Sequence, residues 1–147
     1  MAKRTDLDFD SIAAIGLMFL DGDCVEEILL DKYGHVDYDF DKFNHCKKVL
    51  MKIERINPEL GIHAYLWQKR PDNAGLRVPI VAASTVPFEG SHNMSPIGKE
   101  TEAAFGGTFG TIATKANGTQ AHYYPVKNSD AEIVGILELS GDGRVVS

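Results

Sequence analysis

The hydrophobic period of this chain changes at Gly61, and that change limits what it can fold into. Before Gly61 apolar residues recur at spacings of three and four; after it they mostly alternate, as strands require. The chain therefore reads as helices followed by strands, an order that points to an α+β domain. At 147 residues it is long enough to bury a core without staples. No repeat, low-complexity tract or linker divides it, so a single domain over 1–147 is expected.

The helical segment spans 1–58. Ile12, Ile15, Gly16 and Phe19 follow Asp10-Ser11 at helical spacing and stop at Asp21-Gly22. Asp23 is expected to cap a second short helix carrying Val25, Ile28 and Leu29 and ending at Tyr33-Gly34. Asp39 or Asp41 opens the longest helix, with Phe43, Cys46, Val49, Leu50 and Ile53 as its buried stripe, and Asn57-Pro58 ends it.

The sheet segment spans 59–140. Gly61 to Arg70 reads as a strand, Pro71 to Gly75 as a turn and Leu76 to Ser84 as the returning strand, with Pro79 marking an edge or a bulge. A connection from Thr85 to Ser95 follows. Ser95-Pro96 reads as the start of a short helix through Phe105, which Gly106-Gly107 closes. Thr108 to Lys115, Gln120 to Lys127 and Glu132 to Leu139 are the last three strands. The economical packing is a five-stranded antiparallel sheet with the long helix across one face. The loop and short helix then lie over the other face and leave a cavity beneath them.

Composition narrows the function. A net charge of −6 disfavours a nucleic acid or an anionic membrane as the main partner, since both reward clustered Lys and Arg. The apolar run from Ile12 to Leu20 is too short to span a bilayer, which leaves a cytosolic protein or the excised soluble part of a longer one. Cys24 and Cys46 have no ligand-spaced partners and read as thiols, with a disulfide as the alternative. The five histidines show neither HxH nor HExxH spacing, and no serine lies in a G-x-S-x-G context. Gly106-Gly107 lacks the Lys-Ser/Thr ending of a phosphate loop, and Asp21-Gly22-Asp23 lacks the remaining ligands of a calcium loop. No catalytic residue, metal or cofactor is expected.

Alternation gives a concrete pocket. If Ile62, Ala64 and Leu66 face the long helix, then His63, Tyr65 and Trp67 face the loop side, joined by Arg77 from the second strand. From the penultimate strand either His122 and Tyr124 or Ala121 and Tyr123 point the same way. Aromatic walls with a few orienting polar groups suit a small molecule, and the expected ligand-binding set is His63, Tyr65, Trp67, Arg77, His92, His122 and Tyr124. The alternative is that the aromatics are simply core.

The helix end Ile56 to Leu60, the strand Gly61 to Arg70, the strand Gly107 to Thr111 and above all the run Tyr123 to Leu139 resemble the Cache sensor domains. The strand, polar turn and Val134-Gly135-Ile136 strand are shared with PAS and GAF domains. The resemblance implies a PAS-like fold and a small-molecule-sensing input domain of a histidine kinase, chemoreceptor or diguanylate cyclase, and not an enzyme. It further implies an extracytoplasmic setting, whereas a complete chain without a span implies the cytoplasm. Its expected partners are a carboxylate, amino acid or similar metabolite and a second copy joined through the N-terminal helices. Two other readings are a PAS- or GAF-like dimerisation module without ligand and a small enzyme using His92 or His122.

Overall fold

The computed structural model describes residues 8–28, 40–56, 61–69, 76–82, 95–96, 98–114 and 119–142. The first helix, α1 (Phe9–Phe19), is capped by Asp8, whose carboxylate accepts the Ser11 N–H at 2.8 Å. The second, α2 (Gly22–Ile28), starts one residue before the expected cap, Asp23. Asp21 is the residue whose side chain takes up an orphan N–H, that of Asp23, at 3.0 Å. Asp23 is thereby released to accept hydrogen bonds from the backbone and hydroxyl of Ser129. The end expected at Tyr33-Gly34 lies outside the described residues. The long helix, α3 (Phe40–Ile56), buries Cys46, Val49, Leu50 and Ile53 as its spacing predicts.

Six antiparallel strands form one sheet, β1 (His63–Lys69), β2 (Leu76–Ala82), β3 (Ser95–Pro96), β4 (Thr111–Thr114), β5 (Thr119–Lys127) and β6 (Ile133–Asp142). Their spatial order is β3-β2-β1-β6-β5-β4. The sixth strand corrects the expected count of five, because Ser95-Pro96 pairs with Leu76-Arg77 instead of opening a helix. The short helix α4 (Lys99–Phe105) starts later, with Gly98 at its N-cap. The Thr101 hydroxyl accepts the Gly98 N–H at 2.9 Å and donates to the Gly98 carbonyl at 3.0 Å, a local closure that a proline start would not provide.

The end of α4 follows the sequence reading. Thr108 donates to Ala103 and Gly107 to Ala104, the paired bonds of a Schellman stop, and Gly107 sits at φ 107°. Pro79 lies beyond the short β3 pairing and, opposite Trp67, beside a register shift in the β1–β2 ladder, the kind of position where a strand tolerates proline. The β5–β6 turn is held by Asn128, whose side-chain oxygen accepts the N–H groups of Asp130 and Glu132 at 2.9 Å each.

Helices α1, α2 and α3 cover one face of the sheet, where Ile12, Leu50 and Ile53 pack on Leu66, Leu137 and Leu139. On the opposite face Ala104 of α4 packs with Ala121, Tyr123 and Ile136. The first turn of α2 rests directly on the end of β5: a Cβ at Gly22 would stand 1.9 Å from the Lys127 carbonyl oxygen. Gly22→Ala should therefore cost about 1–3 kcal/mol in urea unfolding, although helix propensity alone would favour alanine. A neutral or stabilised variant would mean that α2 does not sit this close.

Candidate functional site

The outer face of the sheet is laid out in three rows. Tyr65, Glu138, Tyr123 and Thr111 stand opposite one another across β1, β6, β5 and β4. Above and below run His63, Ser140 and Ala121, and Trp67, Ile136 and Pro125. Side chains in register on one face lie close enough to interact, so the backbone pairing alone gathers this set.

Glu138 is the centre of it. Only 2% of the residue is exposed, and each carboxylate oxygen takes up a donor. The Trp67 indole N–H donates to Oε1 at 2.9 Å, and the Ser140 hydroxyl donates to Oε2 at 2.5 Å. A carboxylate taken out of water needs such donors, because burial without them costs several kcal/mol in effective terms (~3–5 kcal/mol when a partner is lost). Tyr65, half-buried beside it, has its phenol pushed above the ordinary range by burial first, then by the negative fields of Glu138 and Glu54. Phe105 of α4, like Trp67 and Ala113, packs against the buried cluster of Ala104, Ala121, Tyr123 and Ile136 on this face.

The expected site residues fall into three groups. Tyr65 and Trp67 lie on the outer face as alternation predicts, and His63 stands at the start of the same strand, half exposed, with Nδ1 3.8 Å from Glu54. Arg77 is placed only by its backbone, paired with Lys69 and Ser95, and His92 lies outside the described residues, as does most of the connection Thr85 to Ser95 and with it the expected cavity. His122 and Tyr124 are not with Trp67. The β5–β6 register sets Tyr123 against Glu138, so Ala121 and Tyr123 take the outer face while His122, Tyr124 and Val126 turn to the helices.

There Tyr124 is fully buried, donating its hydroxyl to Asp10 at 2.8 Å with Phe109 edge-on at 4.8 Å. Burial and the neighbouring Asp10 and Asp8 carboxylates hold its phenol far above its ordinary value. His122 packs its ring on Phe9 at 4.2 Å. Glu138 and Ser140 went unread in the sequence expectation, where Ala121 and Tyr123 stood as the alternative to His122 and Tyr124. The available signal was Ile136-Leu137-Glu138-Leu139-Ser140, where the polar residues share one parity in an otherwise apolar strand.

Among the described residues no group of three His, Cys, Asp or Glu is placed to hold a metal ion. Cys24 and Cys46 are not joined in a disulfide, and burial pushes the Cys46 thiol up to about 12. A groove of about 190 Å³ runs between α1 and α3, lined by Ile15, Gly16, Phe19, Val49, Ile53 and Ile56 with Lys52 at its rim. No helix among the described residues is long and apolar enough to cross a membrane.

No family model matches the chain, and no curated protein matches it. Among solved structures it is similar to the GAF domain of A. Aeolicus nlh2 in an inactive state, at 14% identity and a TM-score of 0.45, over 88% of this chain and 81% of that one.

Tyr124→Phe should lose about 1–3 kcal/mol near neutral pH, because it leaves Asp10 without a buried donor. A phenol whose folded pKa is raised stabilises the fold fully below its unfolded value of 10.0 and loses that contribution as pH rises beyond it. Urea unfolding across that range should show wild type losing more stability than the phenylalanine variant. Parallel pH curves would contradict the buried placement of Tyr124.

Proposed function

We propose that this chain is the small-molecule-sensing input domain of a signal-transduction protein, of PAS-like type and, at the finer level, of the Cache kind. The observation that carries the reading is the polar centre on the outer face. One side of the sheet is covered by three helices, whereas the other carries a hydrogen-bonded carboxylate with Tyr65, Trp67 and Tyr123 around it. Buried polar groups of this kind are costly as mere filling, and a ligand pocket is where apolar walls with a few fixed polar groups are useful.

In this reading the ligand sits on the outer face against Tyr65 and Trp67, with His63 at its rim. Arg77 and His92 remain proposed contacts from the connection side, and His122 and Tyr124 drop out. Ligand binding shifts the population between two arrangements of the N-terminal helices on the sheet. No residue is given a catalytic role.

A second reading has its own support. Met18 and Phe19 at the end of α1 are 80% and 65% exposed, beside the apolar groove between α1 and α3. Isologous pairing of that surface would make the chain a dimerisation module, with or without a ligand.

Trp67 is the sole tryptophan, so its fluorescence reports directly on the outer face. Titration with carboxylates, amino acids and amines should change that emission for at least one class. At a hundredfold excess over Kd the same compound should add about 2.7 kcal/mol, or roughly 5–11 °C in Tm. Tyr65→Ala should weaken it at least about tenfold. Silence across the panel from a folded protein, together with a concentration-dependent dimer that Phe19→Asp abolishes, would replace the sensor reading by the second one.

A further inference from the structure

The contact between α1 and β5 holds a feature that neither packing nor ligand sensing requires. His122 is 6% exposed, and its Nδ1 is buried without any hydrogen-bond partner. Its other nitrogen lies 3.4 Å from the Gln120 side-chain oxygen, which can only accept from it, so the proton of the neutral ring belongs on Nε2. The ring stands at 60° to Phe9, the first residue of α1. A phenylalanine or leucine at this position would fill the same space with no unsatisfied atom, and an imidazole is the one side chain whose charge changes near neutral pH.

The surroundings make that change consequential. Among the described residues the charged groups that act on His122 are Asp10 on α1 and Asp8 at its N-cap. Its neighbours in register are Ile112 on β4 and Leu139 on β6, which carry no charge. Both aspartates already have work in the docked state: Asp8 caps α1 through Ser11, and Asp10 accepts from Tyr124. Protonation would put a second N–H into the apolar side of the contact, and the carboxylates that act on the ring, Asp10 and Asp8, already hold α1 in place.

We infer that His122 is a proton-sensitive latch on the N-terminal helix: neutral, it lets α1 dock on β5; protonated, it releases the first turns of α1 from the sheet. The direction follows from linkage. Burial lowers the His122 pKa below 6.5, the effect of Asp10 and Asp8 being the smaller and opposite one. The unfolded or undocked chain then binds the extra proton more readily. Docking is fully supported above the ordinary value and is lost as pH falls through the folded one. Asp8 does not confuse this window, since the Ser11 N–H holds its carboxyl below the ordinary carboxylate value.

Hydrogen exchange by mass spectrometry or NMR, corrected for the intrinsic rate, tests this in the whole chain. Lowering pH from about 7.5 to about 5 should raise the opening of Ile12 to Gly16 by about tenfold or more, one proton allowing at most about tenfold per pH unit. The amides of Tyr124 and Leu137 should not follow, and His122→Gln should remove the pH dependence. A pH-independent α1 in wild type, or an unchanged pH response in His122→Gln, would overturn the latch. Should that variant not fold, the ring shifts of wild-type His122 decide: a midpoint clearly below 6.5, moving with α1 exchange, supports the latch, and a midpoint at or above 6.5 refutes it.

Discussion

Strand β6 runs between β1 and β5, and every residue from Gly135 to Gly141 is buried, so both of its faces are taken out of water. A strand in that position is ordinarily apolar throughout. Leu137 and Leu139 obey this on the helical side, but Glu138 and Ser140 do not on the other. The chain must therefore supply donors to a carboxylate in the middle of its sheet. It does so with the Trp67 indole from β1 and the Ser140 hydroxyl from β6 itself. That requirement ties the sole tryptophan to Glu138, strand register sets Tyr65 and Tyr123 on either side, and together they give the outer face its chemistry.

The two faces of the sheet are thus built on different principles. Toward α1, α2 and α3 the packing is mainly of aliphatic side chains with Phe9 and Tyr124 among them, and several polar contacts tie a helix down. Examples are Asp10 to Tyr124, Asp23 to Ser129, and the Gln68 amide, which donates to the Val25 and Val134 carbonyls. Toward α4 a carboxylate sits among aromatic rings. The proposed functions divide in the same way: a ligand is recognised on the face around Glu138, and the position of α1 is adjusted on the helix-covered one. β5 joins them, because alternate residues of one strand, Tyr123 and Tyr124, belong to opposite faces.

Much of the fold was legible because periodicity records burial directly. Cys46, Val49, Leu50 and Ile53 on one stripe of α3, and Ala64 and Leu66 against His63, Tyr65 and Trp67 on β1, each announce which side is inward. What failed to show was contact between distant segments. Both faces of β5 are buried from Ala121 to Val126, so its alternation carries no sign, and the choice between His122 with Tyr124 and Ala121 with Tyr123 rested on a register that only pairing with β6 defines. Asp21 and Asp23 are equally good caps in isolation; Ser129, more than a hundred residues away, claims one of them. Ser95-Pro96 carried a local helix-start signal that pairing with Leu76 and Arg77 overrode. Glu138 was visible as a polar residue in an apolar strand, yet its meaning depended on Trp67, 71 positions earlier.

The central claim is that the Trp67–Glu138 hydrogen bond organises the outer face, and a double-mutant cycle measures that directly. Unfolding free energies of wild type, Trp67→Phe, Glu138→Leu and the double variant give the coupling between the two side chains, free of what each contributes alone. The account predicts a coupling of about 1–3 kcal/mol, the double variant losing less than the two single ones together. Additivity within about 0.3 kcal/mol would show that the two groups do not meet, and the polar centre would have to be abandoned.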